Sequence, residues 1–325
     1  MTRTASAFWL NESGKGEVRQ VTLAEPGPGE VEVRTLFSGV SRGTETLVFR
    51  GGVPENQHAV MRAPFQEGDF PWPVKYGYLN VGVVQNGDLK GRTVFCLYPH
   101  QTRYVVPETS VTLVPEAVPA ERAVLAGTVE TAVNAVWDAR PLIGDRIAVV
   151  GGGMVGSSVA AVLAAFPGTR VELVDADPAR EEVARKLGVG FALPGNALDG
   201  CDLVFHASAT EAGLSTALNL LAPEGRVIEL SWYGDRKISV PLGEFFHSRR
   251  LTIRSSQVGV VGRPDRTYAE RMAVALDLLA DARFDALITG HSPFEELPEV
   301  VPKLADGEIP ALCHRIDYGR DHVSE

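Results

Sequence analysis

The sequence predicts an α/β fold in which a doubly wound parallel sheet is joined to a smaller β-rich domain. With 325 residues the chain exceeds the size at which one hydrophobic core keeps growing, so we expect two domains that share a cleft. The first third contains short strand patterns and turns, whereas strand and helix patterns alternate after Pro141. Such alternation is typical of a parallel sheet covered by helices.

The β-rich first third is interpreted from its alternating segments and turn residues. Residues 16–25 and 30–37 alternate apolar and polar side chains on either side of the turn-forming EPGPG, and Asn86-Gly87 predicts a hairpin turn. A long polar stretch with four prolines covers residues 51–73. Loops of this length in a compact domain are often functional, so we expect this one to cover the cleft and shape specificity.

Composition and charge exclude several classes of protein. The 31 basic and 41 acidic residues give a net charge of -10, which opposes the attraction to phosphate that nucleic-acid binding needs. No segment approaches the ~20 apolar residues that span a bilayer, and the first residues lack the pattern of a secretion signal. We therefore expect a cytoplasmic protein with a small-molecule substrate, in which Cys96, Cys201 and Cys313 are buried free thiols.

The strongest local signal is a glycine motif between a strand and a helix. The apolar run RIAVV at 146–150 is followed by GGGMVG, so Gly151, Gly153 and Gly156 have G-x-G-x-x-G spacing around Met154 and Val155. The three glycines permit a tight turn, a close approach to a pyrophosphate, and close packing of helix and strand. This context predicts a Rossmann domain that holds a dinucleotide at a helix N-terminus.

An acidic residue at the end of the next strand predicts which dinucleotide is bound. The strand VELVD ends in Asp175, about 20 residues after Gly156, where a carboxylate accepts hydrogen bonds from ribose hydroxyls. Because this carboxylate repels a 2′-phosphate, we expect NAD(H) in preference to NADP(H), although the nearby Arg180 could partly compensate a phosphate. Ser208 and Ser231 follow later strands and should also line the cofactor.

Three longer segments resemble landmarks of the medium-chain dehydrogenase/reductase family over nearly the whole chain. They are EPGPGEVEVRTLFSGVSRGTE, GYLNVGVV and AGTVETAVNAVW. The resemblance implies a GroES-like catalytic domain made from both chain ends, residues 1–117 and 262–325, around a Rossmann domain at 118–261. It also implies an alcohol dehydrogenase-like oxidoreductase that forms a homodimer.

The residues that bind zinc in that family are replaced in this chain. Ser41 stands where the family has a cysteine, Tyr78 stands in place of the histidine of Gly-His-Glu, and Gly127 or Thr128 stands at the third ligand. The loop of four cysteines is also missing. We therefore expect no zinc, since hydroxyls and glycine are not its usual ligands. The Ser-Arg-Gly-Thr-Glu run resembles a zinc-free subgroup that includes bacteriochlorophyllide-type dehydrogenases.

A rearranged metal site remains an alternative to this expectation. Its ligands would come from Glu45, His58, His100 and Glu130. Most isolated histidines and glutamates, however, have only a surface or core role.

Four residues are candidates for proton transfer: Thr44, Tyr78, Tyr98 and His100. Thr44 resembles the family's relay hydroxyl, and Tyr78 could donate a hydrogen bond to the substrate from the position of the missing ligand. Tyr98 matches a wall of the family's substrate pocket, and histidine, the residue type at His100, is suited to acid–base work. The alternatives are a turn hydroxyl, a core tyrosine and an ordinary loop histidine.

The resemblance also suggests residues for the rest of the cofactor. Thr131 corresponds to a residue facing the nicotinamide, and Ser256 and Gln257 lie where the carboxamide is often bound. Arg42 and Arg315 are candidate pyrophosphate partners because a guanidinium suits phosphate. Both arginines could instead be surface charges.

Together these observations predict a zinc-independent oxidoreductase that transfers hydride between NAD(H) and an activated alcohol or carbonyl substrate. Without a metal, hydrogen-bond donors must stabilise the charge that develops on the substrate oxygen. The alternatives are a non-catalytic NAD(H)-binding module that responds to redox state, and an NADPH-dependent quinone or enone reductase.

Overall fold

In a computed structural model, which describes residues 3–319, the chain divides into two compact units. The first unit comprises the chain up to Gly127 together with the chain from Ile288 onward, and the second comprises Thr128–Leu287. No helix in the described part of the chain is both long and apolar enough to cross a bilayer.

The helices and strands follow one another along the chain in three groups. Up to Gly127 they are β1 (Thr4–Glu12), β2 (Lys15–Thr22), β3 (Glu30–Ser41), α1 (Arg42–Phe49), β4 (Glu67–Gly68), β5 (Val74–Lys75), β6 (Asn80–Val84), β7 (Thr93–Cys96), β8 (Arg103–Pro107), β9 (Val111–Leu113), α2 (Ala120–Ala123) and the start of α3 (Ala126–Ala139). The second unit continues with β10 (Arg146–Val150), α4 (Met154–Leu163), β11 (Arg170–Val174), α5 (Arg180–Leu187), β12 (Gly190–Ala192), β13 (Cys201–His206), α6 (Glu211–Asn219), β14 (Leu221–Glu229), α7 (Phe245–Ser248), β15 (Thr252–Ser255) and α8 (Tyr268–Leu278). The returning segment adds β16 (Ile288–Pro293), α9 (Leu297–Asp306) and β17 (Cys313–Asp317).

The first unit is built from two sheets. Seven strands form one sheet in the order β16-β17-β3-β6-β7-β9, with β8 also paired to β3, and four strands form the other in the order β2-β1-β5-β4. Its core packs valines of β3, β6, β7 and β8 against Tyr98 and Tyr104. The long antiparallel pairing of β3 with β17 unites the two chain ends in one sheet.

The second unit confirms the predicted doubly wound fold. Its six strands are all parallel, in the order β12-β11-β10-β13-β14-β15. In the register, Val150 lies beside Val174 on one side and beside His206 on the other, and His206 lies beside Glu229. The residues that follow these strands therefore meet at one edge of the sheet, where ligands of such folds bind.

The boundaries of the units differ from the predicted ones at 117/118 and 261/262. Residues 118–127 lie with the first unit, where Gly127 approaches Leu79 so closely that an added Cβ would be 2.7 Å from its side chain. Helix α8, which the sequence assigned to the returning segment, lies in the second unit. The buried Arg271 of α8 donates to Glu130 and Asn134 of α3 at 3.0 and 2.6 Å. These hydrogen bonds join residues that lie 141 and 137 positions apart in the chain, so no local sequence pattern predicts them.

All three cysteines are buried free thiols, as predicted, and each lies at one end of a strand. Burial raises the pKa of Cys96 and of Cys313 to about 12, and the pKa of Cys201 to about 11. These thiols are therefore protonated at neutral pH.

The Arg271 network predicts a large effect of one substitution on stability. Arg271→Ala leaves the carboxylate of Glu130 buried without its cation, so the free energy of unfolding should fall by about 3–5 kcal/mol. Arg266→Ala is the matched control, because its partners Asp265 and Glu270 are exposed. Urea unfolding followed by tryptophan fluorescence measures both, and equal effects of the two variants would contradict the role given to Arg271.

Candidate active site

The glycine motif forms a close turn between β10 and α4. Gly151 has φ +109°, in the left-handed region that favours glycine, and an added Cβ there would lie 2.6 Å from the backbone nitrogen of Ser208. An added Cβ at Gly156 would overlap the carbonyl oxygen of Gly151. These two glycines therefore permit the close approach of β10, α4 and the end of β13.

The middle glycine of the motif opens onto free space. An added Cβ at Gly153 meets no heavy atom of the described chain within 4 Å, although φ is an ordinary -73°. Gly153 is the N-cap residue of α4, and glycine has no side chain that could accept a hydrogen bond. The first N–H groups of the helix, from Met154 and Val155 onward, therefore receive no side-chain partner from the N-cap. Free N–H groups with the positive end of the helix dipole fit a pyrophosphate.

Asp175 is held beside this turn. Its Oδ2 accepts a hydrogen bond from the N–H of Gly152 at 2.6 Å, and its Oδ1 accepts one from Asp177 at 2.8 Å. The side chain of Arg180 crosses Gly152, and its Nε lies 3.4 Å from the Asp177 carboxylate. The carboxylate that should meet the ribose is thus fixed in position, and the Arg180 guanidinium is paired with Asp177.

The serines at the strand ends belong to a polar network that the sequence did not reveal. His206 is fully buried, and its Nδ1 and Nε2 lie 2.7 Å from Glu229 Oε2 and from Ser208 Oγ. The N–H of Ser231 donates to Glu229 Oε1 at 2.7 Å, and Ser231 Oγ accepts from the N–H of Ala209 at 3.0 Å. The predicted Ser208 and Ser231 therefore come together through His206 and Glu229.

Glu229 is ionised at neutral pH despite its surroundings. Burial raises the pKa of this carboxyl, but hydrogen bonds from His206 and Ser231 outweigh burial and hold the pKa below its usual value. The negatively charged Glu229 carboxylate therefore lies 2.7 Å from Nδ1 of the His206 imidazole.

The other predicted cofactor residues are distributed over both units. In the second unit, Thr131 lies on α3, Ser256 donates to Asp138 at 2.7 Å, and the Gln257 side chain accepts from Gly259 at 2.6 Å. In the first unit, Arg42 is exposed at the start of α1, whereas Arg315 is paired with Asp317 through contacts of 2.6 and 3.0 Å. An anion at Arg315 would have to compete with that carboxylate.

The first unit contains a buried chain of polar side chains that begins at Glu45. Glu45 Oε1 accepts from the N–H of Ser41 at 2.8 Å, at the N-terminus of α1, and its Oε2 lies 2.9 Å from His100 Nε2. His100 Nδ1 lies 2.7 Å from Ser38 Oγ, which lies 2.9 Å from the hydroxyl of Tyr318. Glu45 and His100 are 8% and 2% exposed, so their mutual hydrogen bond and the N-terminus of α1 compensate for the burial of the Glu45 carboxylate.

Tyr78 lies beside this chain. Burial, and secondarily the Glu45 carboxylate, raise the pKa of Tyr78 to about 12, although hydrogen bonds with Ser41 and Thr44 oppose the rise. The structure thus brings together three of the four predicted catalytic residues, Thr44, Tyr78 and His100, around Glu45. The phenol stays protonated at neutral pH and can act as a hydrogen-bond donor.

Tyr98, the fourth candidate, lies in the core of the first unit. Its ring stacks on Tyr104 at 3.8 Å, and the buried Lys75 ammonium lies 5.2 Å from its ring centroid. These contacts correspond to the core-tyrosine alternative, so packing accounts for this residue.

The residues at the zinc positions do not fit zinc. Ser41 and Tyr78 come together as the resemblance implies, but they offer a hydroxyl and a protonated phenol. Among the alternative ligands, His58 contacts the Val53 carbonyl at 3.1 Å and Glu130 pairs with Arg271 in the other unit, which leaves Glu45 and His100 together. Within residues 3–319, no three His, Cys, Asp or Glu side chains are grouped so that they could hold a metal ion.

Comparison with known proteins finds distant relatives among dehydrogenases and reductases. No family model matches the chain. D-guloside 3-dehydrogenase of Escherichia coli K12 is 24% identical over 309 residues, which cover 85% of this chain and 86% of that protein. D-xylulose reductase A of Aspergillus oryzae is 25% identical over 233 residues, which cover 66% of this chain but only 62% of that protein.

Solved structures show that the chain has the fold of medium-chain alcohol dehydrogenases. L-idonate 5-dehydrogenase of Escherichia coli K-12 superposes with a TM-score of 0.81 at 14% identity, over 98% of this chain and 99% of that one. An Escherichia coli CFT073 alcohol dehydrogenase complexed with NADH has a TM-score of 0.78 at 17% identity, covering 97% and 99%. A Sinorhizobium meliloti dehydrogenase bound to NADP has the same TM-score of 0.78 at 15% identity, covering 97% and 99%. The comparisons support an alcohol dehydrogenase-like oxidoreductase.

Two alanine substitutions should separate the structural from the ligand-binding glycines. Gly156→Ala places a methyl group against the Gly151 carbonyl and should lower the thermal unfolding midpoint. Gly153→Ala points its methyl group into open space, so it should lower that midpoint much less, by the small cost of alanine at an N-cap, while weakening NADH binding. Thermal unfolding and NADH fluorescence titration measure the two effects. A stable Gly156→Ala protein, or unchanged binding by Gly153→Ala, would contradict this assignment.

Proposed function

We propose that the chain is a zinc-independent medium-chain oxidoreductase that transfers hydride between NAD(H) and an activated alcohol or carbonyl compound. The observation that carries the proposal is the hydrogen-bonded cluster of Ser41, Thr44, Glu45, Tyr78 and His100, which stands where the family resemblance places a metal centre. The glycine turn and Asp175 support the cofactor part of the proposal.

The second unit would hold the cofactor, which supplies or accepts the hydride when bound. Gly153 and the N-terminus of α4 bind the pyrophosphate, and Asp175 accepts from the adenosine ribose. We propose NAD(H) in preference to NADP(H), because a 2′-phosphate would lie against the Asp175 carboxylate and Arg180 is shared with Asp177. The cytoplasmic location and the homodimer remain predictions.

The first unit would stabilise the charge on the substrate oxygen. The Tyr78 hydroxyl donates a hydrogen bond to that oxygen, which becomes more negative as a carbonyl accepts hydride. Ser41 and Thr44 fix the orientation of the phenol and can pass a proton to it. The Glu45–His100 pair lies behind them, and its carboxylate helps to keep the phenol protonated, while the proton that the substrate oxygen finally requires comes from solvent.

A hydrogen-bond donor polarises a carbonyl less than zinc does, so the substrate should be one whose oxygen already carries charge easily. The names of the two curated relatives concern sugar-derived compounds, D-xylulose and D-guloside. We therefore propose that a substrate screen include ketones of sugars and polyols beside conjugated and ring carbonyls, with oxidation of NADH followed at 340 nm.

The cofactor preference is tested by replacing one carboxylate. Asp175→Ser removes a charged acceptor of the ribose hydroxyls, so NADH affinity should fall about 10- to 100-fold while NADPH affinity rises. Asp199→Ser is the matched control in the same unit, because its side chain is exposed and no nucleotide contact is assigned to it. Fluorescence titration with both nucleotides measures the change, and an unaltered NADH-to-NADPH ratio in the Asp175 variant would refute the assignment.

Two tyrosine variants test the site of chemistry. Tyr78→Phe removes the donor to the substrate oxygen and should lower kcat about 100-fold or more with little change in NADH affinity. Tyr98→Phe keeps the stacked core ring and should retain most activity. Steady-state kinetics with the best substrate of the screen distinguishes the two variants. A larger loss of kcat in Tyr98→Phe than in Tyr78→Phe would assign the substrate contact to Tyr98 instead.

The pH profile gives an independent check on Tyr78. Because the pKa of Tyr78 is raised to about 12, the donor form persists at every lower pH. Carbonyl reduction should therefore show no loss attributable to phenol ionisation between pH 7 and about pH 10. A loss of kcat in this range that Tyr78→Phe abolishes would contradict the proposed environment.

A further inference from the structure

The His206 network lies directly beside the glycine turn, and the family resemblance assigns it no role. The backbone nitrogen of Ser208 is the atom nearest to the position of a Cβ at Gly151, at 2.6 Å. In the sheet order, β10 and β13 are neighbours whose connections leave in opposite directions, so Ser208 lies at the switch point of the fold. Ser208 is thus adjacent to the cofactor position of the proposed function, on which this inference rests.

The hydrogen bonds of the network give His206 two possible proton states. The ionised Glu229 accepts from His206 Nδ1–H in either state, because a carboxylate has no proton to donate. In the neutral imidazole, Nε2 must then accept the hydrogen of the Ser208 hydroxyl, 2.7 Å away. In the imidazolium, Nε2 donates to Ser208 Oγ, and the hydroxyl hydrogen of Ser208 becomes free to point elsewhere.

Thr210 continues the chain of hydroxyls. Its Oγ1 lies 2.9 Å from Ser208 Oγ and accepts from the N–H of Gly213, which caps helix α6. An added Cβ at Gly213 would overlap Ser208 Oγ and lie 2.8 Å from His206 Nε2. Glycine at this position therefore allows the imidazole, the two hydroxyls and the helix N-terminus to meet.

The charged and titratable groups around His206 act in opposite directions. Glu229 on β14 favours the imidazolium, whereas the Tyr233 hydroxyl, which donates to Glu229 at 3.2 Å and lies 3.3 Å from His206 Nδ1, is uncharged. The N-terminus of α6 opposes a positive charge, as does Arg236, whose guanidinium lies 5.7 Å from the Tyr233 ring. Glu211 in the first turn of α6 accepts from the N–H of Ser239, and Val150 on β10 is uncharged.

We propose that His206 is a proton-binding positioning residue, and that binding of the dinucleotide is coupled to uptake of a proton at its imidazole. The proton reverses the hydrogen bond between His206 and Ser208, so the Ser208 hydroxyl becomes a donor. Ribose, phosphate and carboxamide oxygens of the cofactor are acceptors that such a donor would bind. No bond other than hydrogen bonds changes, and the proton comes from solvent.

Calorimetry measures the proton directly. NADH is titrated into the full chain at pH 7 in phosphate and in Tris buffer, and the difference in apparent enthalpy gives the protons taken up. We expect uptake in the wild-type protein, and an NADH affinity that weakens at least threefold from pH 6 to pH 8.5. His206→Gln should abolish both effects. His247→Gln is the control in the same unit, because this exposed histidine of α7 should leave them unchanged.

A second variant keeps the test valid if His206→Gln fails to fold. Ser208→Ala removes the hydroxyl whose hydrogen bond with His206 changes direction, so this variant should also bind NADH with an affinity that does not depend on pH. Binding without proton uptake, release of protons, or a pH dependence that persists in both variants overturns the inference and leaves the proposed function intact. Failure of NADH to bind at any pH would overturn the proposed function as well.

Discussion

The second unit depends on how closely the carbonyl oxygen of Gly151 approaches the position that a Cβ on Gly156 would occupy. Any side chain at Gly156 would overlap that oxygen, so the two glycines determine how closely α4 can lie on β10. The same turn leaves Gly153 facing open space and presents the Gly152 N–H to Asp175. It also lets the end of β13 approach, which brings the His206 network to the edge where a dinucleotide binds. One steric constraint thus positions backbone donors, a carboxylate and a titratable group together.

A comparable constraint in the first unit is the burial of Glu45. A carboxylate out of water costs several kcal/mol unless hydrogen bonds and opposite charge compensate it. Here the Ser41 N–H, the start of α1 and His100 provide that compensation. The charge in turn helps to raise the pKa of Tyr78 and so keeps its phenol a donor. The Glu45 carboxylate therefore adds to burial, the larger cause, in keeping protonated the phenol that we place at the substrate.

The parts of this molecule that the sequence predicts are those specified by local spacing. The glycine motif, Asp175 and the alternation of strands and helices all depend on neighbours within one strand–helix unit. The contact of Ser38 with Tyr318 joins the two ends of the chain, and the boundary of the second unit depends on Arg271 reaching back to Glu130. Such partners depend on sheet order and helix packing, so no pattern in the sequence reveals them. Tyr98 is the opposite case. The family resemblance suggested a catalytic role for this residue, but its stacking on Tyr104 in the core explains its presence.

The two units use the same device, a carboxylate that orients an imidazole whose other nitrogen meets a hydroxyl. Glu45, His100 and Ser38 form it in the first unit, and Glu229, His206 and Ser208 form it in the second. In each, the carboxylate fixes the nitrogen that carries a proton, so the hydroxyl is a donor when the imidazole is charged and is occupied when it is neutral. A metal ion polarises its ligand at every pH at which it stays bound. In the second unit the Ser208 hydroxyl would polarise a ligand only when His206 carries the extra proton, whereas the Tyr78 phenol proposed as the donor in the first unit keeps its proton throughout the neutral range.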